Sequence, residues 1–118
     1  MAKIAVVEDN DAMREQLCGF IAQYARESGR QLDVTAFADG AEIVDPYRPG
    51  FDIIFLDIEM PTLGGMPTAE RIRQVDPDVV LVFVTNMAQY AIRGYEVDAL
   101  DFVLKPVSYY QFSTKLER

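Results

Sequence analysis

The 118-residue chain contains no histidine and only one cysteine, Cys18. Without histidine there is no imidazole triad, no imidazole acid–base scheme and no His-ligated zinc site. A single cysteine excludes an intrachain disulfide. Long apolar runs are also missing: nothing approaches the ~20 residues needed to span a bilayer. Ile4–Val7 runs straight into Glu8 and Asp9, which is unlike a signal peptide. Basic charge is scarce, with 11 Lys and Arg against 19 Asp and Glu, a net charge of −8. That balance argues against this segment gripping phosphate backbones or anionic lipid. The expected setting is reducing and cytoplasmic, with no membrane partner.

Half of the residues are hydrophobic and a quarter are charged, as expected of one globular domain with a real core. Ile4–Val7 reads as a strand, followed by Met13, Leu17, Phe20, Ile21 and Tyr24 on one helical face. Leu32–Phe37 reads as a weaker, alternating edge strand, and Gly40–Tyr47 as a short helix curtailed by Pro46 and Pro49. Ile53–Leu56 is apolar throughout, as in a strand buried on both faces. Met66–Val75 carries Ala69, Ile72 and Val75 at helical spacing, and Val79–Val84 is the strongest strand signal. A short helix over Ala88–Tyr95, a fifth strand over Asp101–Leu104 and a last helix with Tyr109, Phe112 and Leu116 complete the series. Apolar strands joined by helical crossovers predict an α/β fold, a parallel sheet with helices on both faces.

In such sheets ligands bind beyond the carboxyl ends of the strands. The first strand ends in Glu8-Asp9, the third in Asp57, the fourth in Thr85-Asn86 and the fifth in Lys105-Pro106. Any one acid at a strand end is most often a helix cap or a solvated loop residue. Four strand ends agreeing is a different matter. Crowded carboxylates repel and raise a pKa unless a cation intervenes. Hard oxygen donors without His or Cys favour Mg²⁺, or Mn²⁺ in its place. With the metal held, Asp57 can serve as nucleophile toward a phosphoryl group, while Lys105 and Thr85 neutralise or bond its oxygens.

The set Val-Val-Glu8-Asp9-Asn, Phe-Leu-Asp57-Ile-Glu-Met-Pro61, Val-Thr85-Asn86 and Leu-Lys105-Pro106 resembles the response-regulator receiver domains over essentially the whole chain. The resemblance implies a CheY-like (flavodoxin-like) doubly wound fold of five βα units, strand order 2-1-3-4-5, with residues 1–118 as one receiver domain. It implies that Asp57 is the phosphoacceptor, served by a sensor histidine kinase. Asp9, Asp57 and the backbone carbonyl of Glu59 would bind Mg²⁺ directly, and Glu8 mainly through water. Thr85 and Lys105 would contact the phosphoryl group, Phe102 would be the aromatic switch, and the Lys105–Pro106 peptide would be cis. Glu59 and Asn86 occupy positions that face attacking water in this family, so they bear on the phosphoryl lifetime. Asn86 stands where a small residue is usual. Phosphorylation and dephosphorylation would be self-catalysed, so the domain is a switch and not an enzyme.

Tyr90 through Val107 resembles the LytTR-type regulators in particular, in which a DNA-binding domain follows the receiver. On that resemblance the expectation is a truncated regulator, with a stand-alone receiver as the alternative. DNA would then be contacted only through a C-terminal output domain absent from these residues. Tyr90, Tyr95, Tyr109, Tyr110 and Phe112 crowd the last third of the chain. They read either as a partner surface, including a homodimer formed on phosphorylation, or as core filling. Gly64-Gly65 reads as serving the turn after the third strand, and Cys18 as inert packing or a half-exposed helix residue.

Three other functions compete. A haloacid-dehalogenase-like phosphatase also uses an aspartyl nucleophile and Mg²⁺, but its motif wants Thr or Val where Pro61 stands. A pseudo-receiver would lack the acceptor or the lysine, and both Asp57 and Lys105 are present. A flavodoxin-like electron carrier needs a phosphate-binding loop, to which Glu8-Asp9-Asn10-Asp11 is unsuited.

Overall fold

The structure is a computed structural model that describes residues 2–86 and 101–117. Strands β1 (Ala2–Val7), β2 (Leu32–Phe37), β3 (Ile53–Leu56), β4 (Val80–Thr85) and β5 (Asp101–Leu104) form one sheet. All neighbours are parallel and the order is β2-β1-β3-β4-β5, as the motifs imply. The described helices are α1 (Asp11–Ser28), α2 (Gly40–Val44), α3 (Gly65–Val75) and α4 (Tyr109–Leu116). The helix expected over Ala88–Tyr95, with Tyr90 and Tyr95, lies outside the described residues.

The period of two in the strands divides the core. Ala5, Val7, Ile54, Leu56, Leu81 and Phe83 face one side, where Ile43 of α2 and Met66, Ala69 and Ile72 of α3 cover them. Ile4, Val6, Ile53, Phe55, Val82 and Val84 face the other, against Leu17 and Ile21 of α1 and Phe112 and Leu116 of α4. Strands covered on both faces have no polar side, which is why β3 and β4 are continuously apolar. Each fully buried Leu, Ile or Phe contributes roughly 2–3 kcal/mol to holding these layers together. β2, at the sheet edge, keeps only Leu32, Val34 and Phe37 partly buried.

Local chemistry sets the helix ends. Asn10 Oδ1 accepts from Met13 N at 2.9 Å and so caps α1, which ends at Gly29 in a left-handed conformation, φ 72°. α2 stops at Val44, earlier than Tyr47, because the Asp45–Pro46 unit cannot continue a helix. Met13 and Phe20 only border the core, whereas Leu17 and Ile21 are buried. Val75, expected on the apolar face of its helix, is 55% exposed, being the last residue of α3. The aromatic group divides too: Phe112 is core, Tyr109 packs edge-on against Phe20, and Tyr110 is 77% exposed.

Register aligns the strand ends. Val7 pairs with Leu56, so Glu8 and Asp57 leave the sheet side by side. Asp57 N donates to Val7 O at 3.0 Å, and Lys105 N to Thr85 O at 2.9 Å. All four strand-end segments thereby meet on one rim.

Candidate functional site

Glu8 is 1% exposed, Asp57 is 7% exposed and Thr85 is fully buried, whereas Asp9 is open to solvent. One carboxylate oxygen from each of Glu8, Asp9 and Asp57 lies within 4.8 Å of the others. Lys105, 97 residues from Glu8, donates from Nζ to Glu8 Oε1 at 2.8 Å. The same ammonium stands 3.4 Å from Asp57 Oδ2. Glu8 Oε2 accepts from Asn10 N at 3.1 Å, and Asp57 Oδ1 from Ile58 N at 2.7 Å. The Lys105–Pro106 peptide is cis.

These contacts set the proton affinities. Burial pushes the Glu8 carboxyl above its ordinary range, and the Asp57 charge adds to that. Hydrogen bonds from Lys105 and Asn10 oppose the rise without cancelling it. Repulsion between carboxylates is therefore the lesser cause, and burial the greater. Burial also works against the Lys105 ammonium, but the hydrogen bond to Glu8 and the Asp57 charge outweigh it and raise its pKa. Among the described residues the pocket is anionic, and Lys105, directly after β5, reaches into it.

Several residues that the resemblance assigns to the site stand further out. Glu59 and Asn86 are exposed, on the segments following β3 and β4. Phe102 occupies β5 opposite Phe83, with its side chain outside the described residues. Two contributors were missed by the sequence reading. Arg14 Nη1 donates to the Glu8 carbonyl at 2.9 Å and pairs with Asp11, tying α1 to the rim. Asp39, 8% exposed, accepts from Thr62 N and Leu63 N, each at 2.9 Å, in the segment between Asp57 and α3. An Asp-Gly pair between a strand and a helix was the available signal.

Three carboxylates converging without nitrogen or sulfur donors form a hard oxygen set, which fits Mg²⁺. The fully buried Thr85 ends β4 next to β3, on the same rim as Asp57. Residues 4–117 match the response regulator receiver domain family. The chain belongs to that family. Sensory transduction protein LytT of Oceanobacillus iheyensis is 31% identical over 124 residues, covering 98% of this chain and 46% of that protein. Transcriptional regulatory protein BtsR of Escherichia coli K12 is 31% identical over 122 residues, covering 100% of this chain and 48% of that protein. The receiver domain thus spans about half the length of these curated relatives. The non-phosphorylated HemR receiver domain of Leptospira biflexa superimposes with a TM-score of 0.85 at 30% identity, covering 100% of this chain and 93% of that one.

A response regulator receiver domain of a two-component system is a signalling switch, not an enzyme in the ordinary sense. Membership sets aside the phosphatase and electron-carrier alternatives. Among the described residues, no helix is long and apolar enough to cross a membrane.

Proposed function

We propose that this receiver domain takes a phosphoryl group onto Asp57 from a sensor histidine kinase and changes conformation in response. The observation that carries the reading is the meeting of Lys105 with both Glu8 and Asp57 beside Asp9. An Asp57 carboxylate oxygen forms the bond to phosphorus as the bond from phosphorus to the donor's leaving atom breaks; the donor keeps that electron pair. Ile58 N–H holds Oδ1 and so fixes the plane of the carboxylate. Lys105 offsets the charge gathered on the phosphoryl oxygens, drawn partly away from Glu8 to do so. Asp9, Asp57 and the Glu59 carbonyl would hold Mg²⁺, with Glu8 acting through water, and the ion supplies neutralisation of phosphoryl charge.

Thr85 and Phe102 are the switch pair in this reading: the hydroxyl moves to the phosphoryl group and the aromatic ring turns inward. Population shifts only by the differential stabilisation of the two states. Glu59 and Asn86 then bear on how long the phosphoryl group survives water, and loss of that group is self-catalysed as its gain is. The greater length of LytT and the name of BtsR support a longer cytoplasmic regulator in which a LytTR-type output domain contacts DNA. A homodimer formed on phosphorylation would place such domains in pairs. Mass spectrometry after incubation with Mg²⁺ and a small acyl phosphate tests the core of this reading. The wild type gains one phosphoryl group and Asp57→Asn none; equal labelling of the two refutes the assignment.

A further inference from the structure

The segment from Ile58 to Gly64 links Asp57 to α3 and carries Glu59. Its two ends are held in different ways. At the near end, Ile58 N donates to Asp57 Oδ1 at 2.7 Å, and Gly65 N donates to Ile58 O at 2.8 Å. At the far end the anchor is Asp39, which comes from the turn between β2 and α2. Its Oδ1 accepts from Leu63 N and from Ala41 N, and its Oδ2 from Thr62 N, each at 2.9 Å. One buried carboxylate thus caps α2 and fastens the segment that follows Asp57.

The fastening is tight. A Cβ on Gly40 would lie 1.8 Å from Thr68 Oγ1 and 2.5 Å from Leu63 O. A Cβ on Gly65 would lie 2.1 Å from Asp57 O. The β2–α2 turn, the 58–64 segment and the Asp57 backbone are thus packed at Gly40 and Gly65 too closely to admit even a methyl group.

We propose that Asp39 is a positioning residue for the acidic pocket, holding the 58–64 segment so that Glu59 and Asp57 present their oxygens to a divalent cation together. The inference rests on the function proposed above. It adds that cation affinity is set in part from the β2–α2 turn, by a carboxylate that is not itself a ligand. A segment held in place beforehand spares the cation the entropy of ordering it.

Serine weighs the two jobs of Asp39 differently: its one oxygen can still cap α2, but the bond that Oδ2 accepts from Thr62 N is lost. Calorimetric titration of metal-stripped protein with Mg²⁺ alone is the test. Asp39→Ser weakens the dissociation constant about tenfold, the usual cost of losing a group that orients metal ligands. Asp39→Asn, which presents an amide donor in place of one accepting oxygen, falls between it and the wild type. Tyr47→Phe deletes the 2.8 Å bond to Asp76, away from the pocket, and leaves Mg²⁺ affinity unchanged while lowering the Tm. If Asp39→Ser does not fold, Asp39→Asn decides. Wild-type affinity in a folded Asp39 variant, or equal weakening in Tyr47→Phe, overturns the positioning role. A wild type that takes up no Mg²⁺ overturns the function reading beneath it.

Discussion

Two buried carboxylates, Glu8 and Asp39, sit on the same rim of the sheet and have opposite proton preferences. Glu8 is buried beside Asp57 with one ammonium and one backbone N–H to compensate, and its pKa is raised. Burial works to raise Asp39 as well, but three backbone N–H groups overcome it and hold the carboxyl below its ordinary range. Asp39 is thus a satisfied anion serving structure, and the Glu8 pocket is an under-compensated one. In the function proposed above, that unmatched charge is what a cation and a transferred phosphoryl group would compensate.

The sharpest way to break the comparison is along β3, which Asp52 and Asp57 bracket. Asp52 is exposed, and its carboxylate accepts from Lys3 N at 2.8 Å. Asp52→Asn leaves phosphoryl uptake unchanged, whereas Asp57→Asn abolishes it, as read by intact mass. Next in size is Gly65→Ala, which forces the Asp57 backbone aside and costs about 3 kcal/mol in urea unfolding, with slowed labelling. Asp39→Ala strips three N–H groups of a charged acceptor and costs about 2 kcal/mol in the same measurement.

The smallest effect is in the pH dependence, where the two acids have opposite signs. Glu8 holds its proton more tightly in the folded state than in the unfolded chain. Its ionisation therefore weighs against folding at neutral pH, and that burden lifts as pH falls through its raised value toward the ordinary glutamate range. Asp39 contributes stability at neutral pH that is lost as pH falls from the ordinary aspartate range through its lowered value. With chelator present, Glu8→Gln melts a few degrees higher than wild type at neutral pH and loses that advantage on mild acidification. Asp39→Asn melts lower at neutral pH and converges with wild type only at stronger acidity. Parallel melting curves for both variants across the range would remove the distinction.

Much of the fold was legible because its signals are local. β3 and β4 are apolar without alternation, which only a strand covered on both faces tolerates, and both lie inside the sheet. Leu32–Phe37 alternates and lies at the edge. Glu8, Asp9, Asp57 and Lys105 stand out in the sequence because each lies within two residues of a strand's end, and parallel strands carry all such residues to one rim. Asp39 was overlooked although it also follows a strand. Its partners, Thr62 and Leu63, offer backbone N–H groups, which leave no mark on residue identity. Val75 was misplaced because helical spacing gives a direction around the axis but not where the neighbouring sheet ends.

The sequence alone determined the alternation of strand and helix, the anionic character and the residue types gathered at the strand ends, because side-chain chemistry and periodicity are properties of the chain itself. Tertiary structure alone decided which acid is paired, which is buried and which proton is held. Those depend on desolvation and on contacts only ångströms long between residues as distant as Glu8 and Lys105, 97 positions apart.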